Sequence, residues 1–190
     1  MKREYLGDSY DAVKRMWQEL LSGWAPLHAE PRFLPEELRQ DFTQLTRIPM
    51  LTNGRPVPYS ILNDPDIGIR LPSAQNQTEG RTHISIRTII DQLRNSGVRC
   101  VITYDQSHYR NIGLKPNEQR QAKMRRLAEE GIQSFYYVSH APFLFAVPET
   151  DALQQIHEIL KNAGIPEERL DRQRQKAEQS VAPDAGRLRR

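Results

Sequence analysis

Apolar residues recur at helical spacing in several stretches of the chain. The first stretch places Val13, Met16, Trp17, Leu20 and Leu21 on one face, with polar side chains on the other. Four amphipathic helices are predicted, each preceded by a capping residue and followed by a glycine: Asp8 or Ser9 to Gly23, Ser85 to Gly97, Asn117 to Gly131, and Thr150 to Gly164. A shorter helix is predicted from Pro35, with Leu38, Phe42 and Leu45 on its apolar face.

Continuous runs of strand-forming residues separate these helices. The run 98–104 lies between two predicted helices and ends abruptly in Asp105, which is typical of a buried strand in an α/β sheet. The runs 134–138 and 143–147 are too close for a parallel crossover, so they predict an antiparallel hairpin or one bent strand. Tyr5 and Leu6 suit a further short strand before the first helix.

The segment 25–82 is weakly patterned and holds eight of the thirteen prolines. Asn53-Gly54 indicates a hairpin turn, and Ile67, Ile69 and Leu71 alternate as in a short strand. Long irregular insertions in compact domains are often functional. Three interpretations therefore remain open: a lid, a surface for a protein partner, or a part of the core that the pattern does not reveal.

Together these elements predict an α/β fold, a Rossmann-like three-layer sandwich with a mostly parallel central sheet, the Pro-rich insertion at about 25–82 and the hairpin or bent strand near 134–147. A single domain is expected over 1–170, followed by a basic polar tail over 171–190.

Composition restricts the class of protein. Apolar residues make up 37% of 190 and the mean hydropathy is −0.72, with no run near the roughly 20 apolar residues that span a bilayer, so no membrane association is expected. The amino terminus has no apolar signal region. Cys100 is the one cysteine and cannot form an internal disulfide. A reducing, cytoplasmic location is the expectation.

Charge is unevenly distributed although the formal net charge is only +3. The segment 81–126 contains ten Lys/Arg and three Asp/Glu. A basic surface of this kind favours anionic ligands or nucleic acid, although it is equally typical of solvated helix faces.

Polar clusters follow the predicted strands. Because parallel strands end at one edge of a sheet, the clusters near Asp8, Asp105 and His140 are expected to meet there. Asp8, Asp11 and Asp105 are then candidate ligands of Mg²⁺ or Mn²⁺, with His140 as a general base or a fourth ligand. Asp8 and Asp11 are also ordinary residues for the start of a helix, so both interpretations stay open.

Other side chains in these clusters suit phosphate or nucleophilic chemistry. Candidate phosphate contacts are Ser9, Arg110, Lys115 and Ser139. A second hypothesis makes Ser107 or Ser139 a nucleophile, activated by His108 or His140 and oriented by Asp105. The chain contains neither a P-loop nor a Gly-x-Gly-x-x-Gly motif.

Two function classes are compatible with these features. The first is a protein that binds or processes a phosphorylated ligand, either a nucleotide or nucleic acid, as a divalent-metal-dependent phosphoester hydrolase would. The alternative is a non-catalytic interaction protein that holds nucleic acid or an acidic protein through the basic helix at Arg120–Arg126 and the basic tail.

Overall fold

The chain forms an α/β structure, seen in a computed structural model that describes residues 3–53, 57–71, 80–108 and 113–172. The helices are α1 (Ser9–Leu21), α2 (Arg39–Thr46), α3 (Ile86–Leu93), α4 (Pro116–Ala128) and α5 (Thr150–Asn162). The strands are β1 (Leu27–Ala29), β2 (Tyr59–Asn63), β3 (Gly68–Ile69), β4 (His83–Ile84), β5 (Val98–Tyr104), β6 (Gln133–Tyr137), β7 (Phe143–Val147) and β8 (Leu170–Arg172).

Six strands form one mixed sheet in the order β1-β2-β5-β7-β6-β8, and β3 and β4 pair separately as a small parallel sheet. The neighbours β1, β2 and β5 run parallel, whereas the β5–β7, β7–β6 and β6–β8 pairs are antiparallel. The prediction of an α/β fold is confirmed, but the sheet is mixed rather than mostly parallel.

The main sheet is covered on both faces by apolar cores. One core contains side chains of α1, α2 and α5, and the other contains side chains of α3 and α4. Successive residues of β5 alternate between them: Ile102 and Tyr104 lie in the first core and Val101 in the second. This alternation is the ordinary geometry of a strand buried on both faces, and it decides which way the polar residues after β5 point.

Two helices begin directly after the residues that were predicted to cap them. Asp8 Oδ1 accepts hydrogen bonds from the backbone N–H groups of Tyr10 and Asp11, which satisfies donors at the start of α1. Ser85 Oγ likewise accepts from the backbone N–H of Thr88 in α3. In contrast, α4 begins at Pro116, one residue before the predicted cap Asn117.

The carboxyl-terminal half of the sheet matches the sequence pattern. β6 and β7 pair antiparallel with Phe135 opposite Phe145, so the prediction of a hairpin is confirmed and the bent strand is not needed. The chain then continues through α5 into β8, so Asp171 and Arg172 belong to the sheet rather than to the predicted tail. Residues 173–190 lie outside the described residues.

Two predictions in the amino-terminal half are wrong. Arg3–Tyr5 is a 3-10 turn, so no strand precedes α1 within the described residues, and the Tyr5 side chain is 51% exposed. The segment 25–82 is not an irregular insertion but contains β1 and β2 of the main sheet, and β2 lies beside the central strand β5. Of the three interpretations, the one that made this segment part of the core is therefore confirmed. Residues 54–56, at the predicted hairpin turn, are not described, but Met50 forms a parallel bridge with Ala29.

The strand β2 was not predicted because polar residues interrupt its apolar sequence pattern. Asn63 is fully buried at the end of the strand, and its side-chain amide donates to Gln92 of α3 and to Thr103 of β5. Burial of an amide with these partners costs little free energy, because its hydrogen bonds are made within the protein.

No helix in the described ranges is long and apolar enough to cross a bilayer.

Gly68 allows β3 to pack against the end of β5. It has φ +138°, and a Cβ atom there would lie 2.3 Å from Asp105 Oδ1 and 2.8 Å from Asp105 Cα. Only glycine permits both this backbone conformation and this approach.

Gly68→Ala is therefore expected to lower the free energy of unfolding by at least about 3 kcal/mol, because strain at positive φ adds to a steric clash. Gly164→Ala is the matched control, since Gly164 has φ +81° and open space around it. We expect it to lose only about 1 kcal/mol. Urea unfolding of both variants measures the difference. Equal losses in the free energy of unfolding would contradict the close packing of β3 against Asp105.

Candidate functional site: a crevice at the ends of β2 and β5

A crevice of about 350 Å³ lies where β2 and β5 end and α1 begins. This is the edge of the sheet at which ligands bind in open α/β proteins. The crevice is lined by three carboxylates, three tyrosines and three further side chains: Asp8, Asp64, Asp66, Tyr5, Tyr10, Tyr104, Lys14, Pro65 and Gln106.

Its floor is a buried cluster of three charged side chains. Lys14 Nζ lies 3.0 Å from Asp11 Oδ1 and 2.7 Å from Asp64 Oδ2, and the three residues are at most 6% exposed. Burial opposes the charge of the ammonium group, but Asp64 and Asp11 outweigh it and raise the pKa of Lys14. Lys14 therefore stays protonated at neutral pH.

Asp64 is an incompletely partnered carboxylate. Lys14 donates to Oδ2, but among the described residues no group donates to Oδ1, although the residue is 6% exposed and lines the crevice. Burial raises the pKa of the Asp64 carboxyl, and Lys14 offsets this only in part. One carboxylate oxygen is thus left for a ligand donor or a cation.

Aromatic and amide groups form the rim. The rings of Tyr10 and Tyr104 meet edge to face at 5.6 Å, and the His140 ring lies 5.6 Å from Tyr10. Gln106 Nε2 donates to Tyr10 Oη at 2.8 Å and to the His140 carbonyl at 3.3 Å. Burial, followed by the proximity of Tyr10, raises the pKa of Tyr104, so its hydroxyl remains a neutral donor.

The crevice is acidic. Among the described residues that line it, Asp8, Asp64 and Asp66 stand against one basic side chain, Lys14, and Asp11 adds a further carboxylate behind them. Among the described residues, however, no three Asp, Glu, His or Cys side chains are grouped closely enough to hold a metal ion by themselves. Any cation here would take its remaining ligands from water or from a bound ligand.

Asp105 points to the opposite face of the sheet. Its Oδ1 accepts from the backbone N–H groups of Ile69 and Ser107 at 2.9 and 3.2 Å. Its Oδ2 accepts from Lys123 Nζ and from Tyr136 Oη, both at 2.6 Å. Because both oxygens are occupied by donors and the side chain is 1% exposed, Asp105 anchors the end of β5.

Lys123 belongs to the predicted basic helix at Arg120–Arg126, but it is 1% exposed. Its ammonium group donates to Asp105 and, at 2.7 Å, to Ser107 Oγ. His83 approaches the same cluster from β4. Burial lowers the pKa of His83, and the positive charges of Arg70 and Lys123 lower it further against the opposing effect of Asp105.

The structure divides the predicted catalytic and metal-binding residues between the two faces. Asp8 and Asp11 lie at the start of α1, whereas Asp105 joins α4 and β6, so the three do not form the predicted metal-binding group. Ser107 does lie beside Asp105, but His140 is exposed on the crevice side, next to Tyr10. Alternation of side chains after Tyr104 explains this division.

The other predicted ligand-binding residues are dispersed. Ser9 is exposed in the first turn of α1, and Lys115 is exposed before α4. Ser139 Oγ closes a local turn with the backbone of Ala141. Arg110 lies outside the described residues.

The nucleophile hypothesis also lacks its base. Ser107 Oγ lies near Asp105 Oδ1, the Ile69 carbonyl and Lys123, while His108 Nδ1 is 3.1 Å from Gln119 Nε2. His140 packs on Tyr10 on the other face. Neither of the two predicted histidines is therefore shown within hydrogen-bonding distance of Ser107.

Sequence reasoning missed the residues that form the crevice floor and walls. Lys14 belongs to the polar side of α1 by its spacing, which normally means solvent. Asp64 and Asp66 follow β2, which was not recognised as a strand, and Tyr104 was counted only as the end of β5. The signal that was present is Asp64-Pro65-Asp66, an acidic turn directly after a five-residue strand.

The basic helix is largely neutralised. Arg120 pairs with Asp171, and Arg126 pairs with Glu129 and Glu130. Because Lys123 is buried, three of the four basic residues over 120–126 are already engaged within the protein.

Comparison of the chain with protein-family models, with curated proteins and with solved structures finds no match in any of the three.

Lys14→Met is expected to lower the free energy of unfolding by roughly 3–5 kcal/mol at pH 7, because Asp64 and Asp11 would be buried without their counter-ion. The pKa of Asp64, already raised by burial, would rise further. The folded variant would then bind more protons than the unfolded chain, so its stability increases as the pH falls.

The loss relative to the wild type should therefore be smaller at pH 5 than at pH 7, measured by urea unfolding at both values. Lys161→Met, at an exposed position of α5, is the matched control and should change stability little at either pH. An equal loss at both pH values would contradict the buried carboxylate–lysine cluster.

Proposed function

We propose that the crevice binds a small phosphorylated ligand as its complex with a divalent cation, Mg²⁺ or Mn²⁺. The observation that supports this most directly is Asp64 Oδ1, which accepts from no described residue although Asp64 is only 6% exposed and borders an acidic cavity. An oxygen that faces an open crevice accepts from water, and a ligand that presents positive charge or a hydrogen-bond donor can replace that water.

Magnesium suits this arrangement better than a metal with many protein ligands. In nucleotide sites it is usually held by one or two carboxylates and completes its shell with water and substrate phosphate. Asp64, together with Asp8 or Asp66, would supply the carboxylates. The predicted metal-binding role of Asp8 is kept in this proposal, whereas Asp64 replaces Asp105.

The size and lining of the crevice favour a mononucleotide-sized ligand. A volume of about 350 Å³ is in the range of small-molecule sites. The rings of Tyr5, Tyr10 and Tyr104 offer flat apolar surface to a base or sugar, and a Rossmann-like use of the sheet edge is part of the proposal. A nucleic-acid strand is disfavoured because the excess of carboxylates repels a polyanion.

The proposal extends to phosphoester hydrolysis. A bound divalent cation polarises a phosphoryl oxygen and lowers the pKa of a coordinated water. The carboxylate of Asp8 or Asp66 that does not hold the cation would then accept the proton of that water.

A second candidate ligand is an organic cation, such as an amine. Tyrosine rings beside carboxylates attract ammonium groups by cation–π and Coulomb interactions. The same lining residues support this candidate, but it needs no metal and no phosphate.

Thermal unfolding and calorimetric titration distinguish the two candidate ligands, the metal–phosphate complex and the organic cation. We expect Mg²⁺ with ADP to raise the melting temperature, and ADP with EDTA to leave it unchanged. Asp64→Asn should weaken binding of Mg²⁺-ADP at least about tenfold, a difference of about 1.4 kcal/mol. Asp151→Asn, at an exposed position in the first turn of α5, is the control and should bind as the wild type does.

Binding of ADP that is equally tight in EDTA would contradict the proposal, as would unchanged affinity in Asp64→Asn. Stabilisation by spermidine without any response to Mg²⁺-ADP would support the organic cation instead. Phosphate release from AMP in saturating Mg²⁺, which breaks a phosphoester bond, tests the hydrolytic extension.

A further inference from the structure

The four residues at the end of β5, residues 104–107, contact the two faces of the sheet in turn. Tyr104 and Gln106 line the crevice, whereas Asp105 and Ser107 bond to groups on the α3–α4 face. Each of these four side chains has a defined partner, so the segment connects the crevice to the opposite side of the sheet.

On the α3–α4 face the segment is held by buried groups. Tyr136 Oη and Lys123 Nζ both donate to Asp105 Oδ2, and Lys123 also donates to Ser107 Oγ. Ser107 Oγ lies 2.7 Å from the Ile69 carbonyl of β3. Tyr136 and Lys123 are at most 1% exposed, so no solvent competes for these hydrogen bonds.

On the crevice face Gln106 joins three segments of the chain. Its side-chain amide donates to Tyr10 of α1 and to the His140 carbonyl, which precedes β7. Its backbone N–H donates to the Ile67 carbonyl at 2.9 Å. Gln106 is exposed, and an exposed amide would not hold one geometry without support from its neighbours, because fixing its rotamer costs conformational entropy.

We infer that the buried Asp105–Lys123–Tyr136 cluster sets the geometry of the crevice from the opposite face of the sheet, with Gln106 as the link. Tyr136 and Lys123 are positioning residues: they do not line the crevice, yet they fix the carboxylate next to Gln106. The consequence for ligand binding rests on the proposed function, but the positioning itself does not.

The physical reason is the stiffness of an extended chain whose alternate side chains are anchored. When Asp105 loses a hydrogen bond, its backbone is able to shift. Gln106 is the next residue in the chain, so its side chain shifts with that backbone. Small displacements of supporting groups commonly loosen a site even when the residues in it are unchanged.

The test uses the full chain labelled with ¹⁵N and follows the side-chain amide signals of Gln106 without any ligand. In the wild type these signals are expected away from those of solvated glutamines. Tyr136→Phe, which removes one hydrogen bond and keeps the ring, should move them toward the solvated position, and Ser107→Ala should do the same. Ile89→Val is the matched control, because Ile89 is buried in the same core as Tyr136 but is not among the groups bonded to 104–107.

If Tyr136→Phe and Ser107→Ala leave the Gln106 signals unchanged, the inference is overturned, whatever the ligand result. A shift as large in Ile89→Val would overturn it too, because general loosening of the core would then be the cause. These outcomes do not depend on whether a phosphorylated ligand binds.

A double-mutant cycle with Mg²⁺-ADP tests the consequence for ligand binding. Tyr136→Phe and Gln106→Ala should each weaken binding about fivefold, and the double variant should be no weaker than Gln106→Ala, since both act through one link. Losses that multiply would contradict the linkage. A wild type that does not bind Mg²⁺-ADP would contradict the proposed function, and the Gln106 signals would still decide the positioning inference.

Discussion

A charge buried in a protein must be paired, and this requirement organises the edge of the sheet where β2 and β5 end. Two lysines reach into the interior there, one from each covering layer of helices. Lys14 comes from α1 and meets Asp64 and Asp11, and Lys123 comes from α4 and meets Asp105. Removing either partner would leave an uncompensated charge, which costs far more than a surface ion pair gains.

The two clusters differ in how fully their carboxylate oxygens are hydrogen-bonded. Asp105 has donors on both oxygens, including two backbone N–H groups, so its cluster is closed and holds β3, β5, β6 and α4 together. Asp64 accepts from the described part of the chain on one oxygen only and borders an open cavity. A saturated network rigidifies a fold, whereas an unsaturated one beside a cavity is where a ligand gains most from binding.

Much of the fold could be predicted because its elements repeat a simple pattern. The apolar faces of α1, α3 and α5 and the uniform run of β5 identify those elements from spacing alone, and the short gap before Phe143 excludes a parallel crossover. β1 and β2 could not be found in this way, since one has three residues and the other buries Ser60 and Asn63. The Asn63 amide is acceptable there only because of partners far away in the chain.

The site was harder to predict for the same reason. A crevice does lie at the carboxyl edge where the polar clusters were expected to meet, and Asp8 lines it. The direction of each side chain, however, depends on strand register, which placed Asp105 on one face and Tyr104 on the other. Periodicity assigns Lys14 and Lys123 to solvent, and only the positions of distant aspartates bring them inside.

The pairing of the two buried lysines is tested most directly by an NMR spectrum of the lysine ammonium groups in the ¹⁵N-labelled protein at neutral pH, recorded before and after addition of Mg²⁺-ADP. Buried, paired ammonium groups exchange their protons slowly, so we expect resolved signals from Lys14 and Lys123, of which the Lys14 signal moves further when the ligand is added. The pairing would be contradicted if neither lysine gave a resolved signal, and the site would be contradicted if the ligand moved Lys123 and left Lys14 in place.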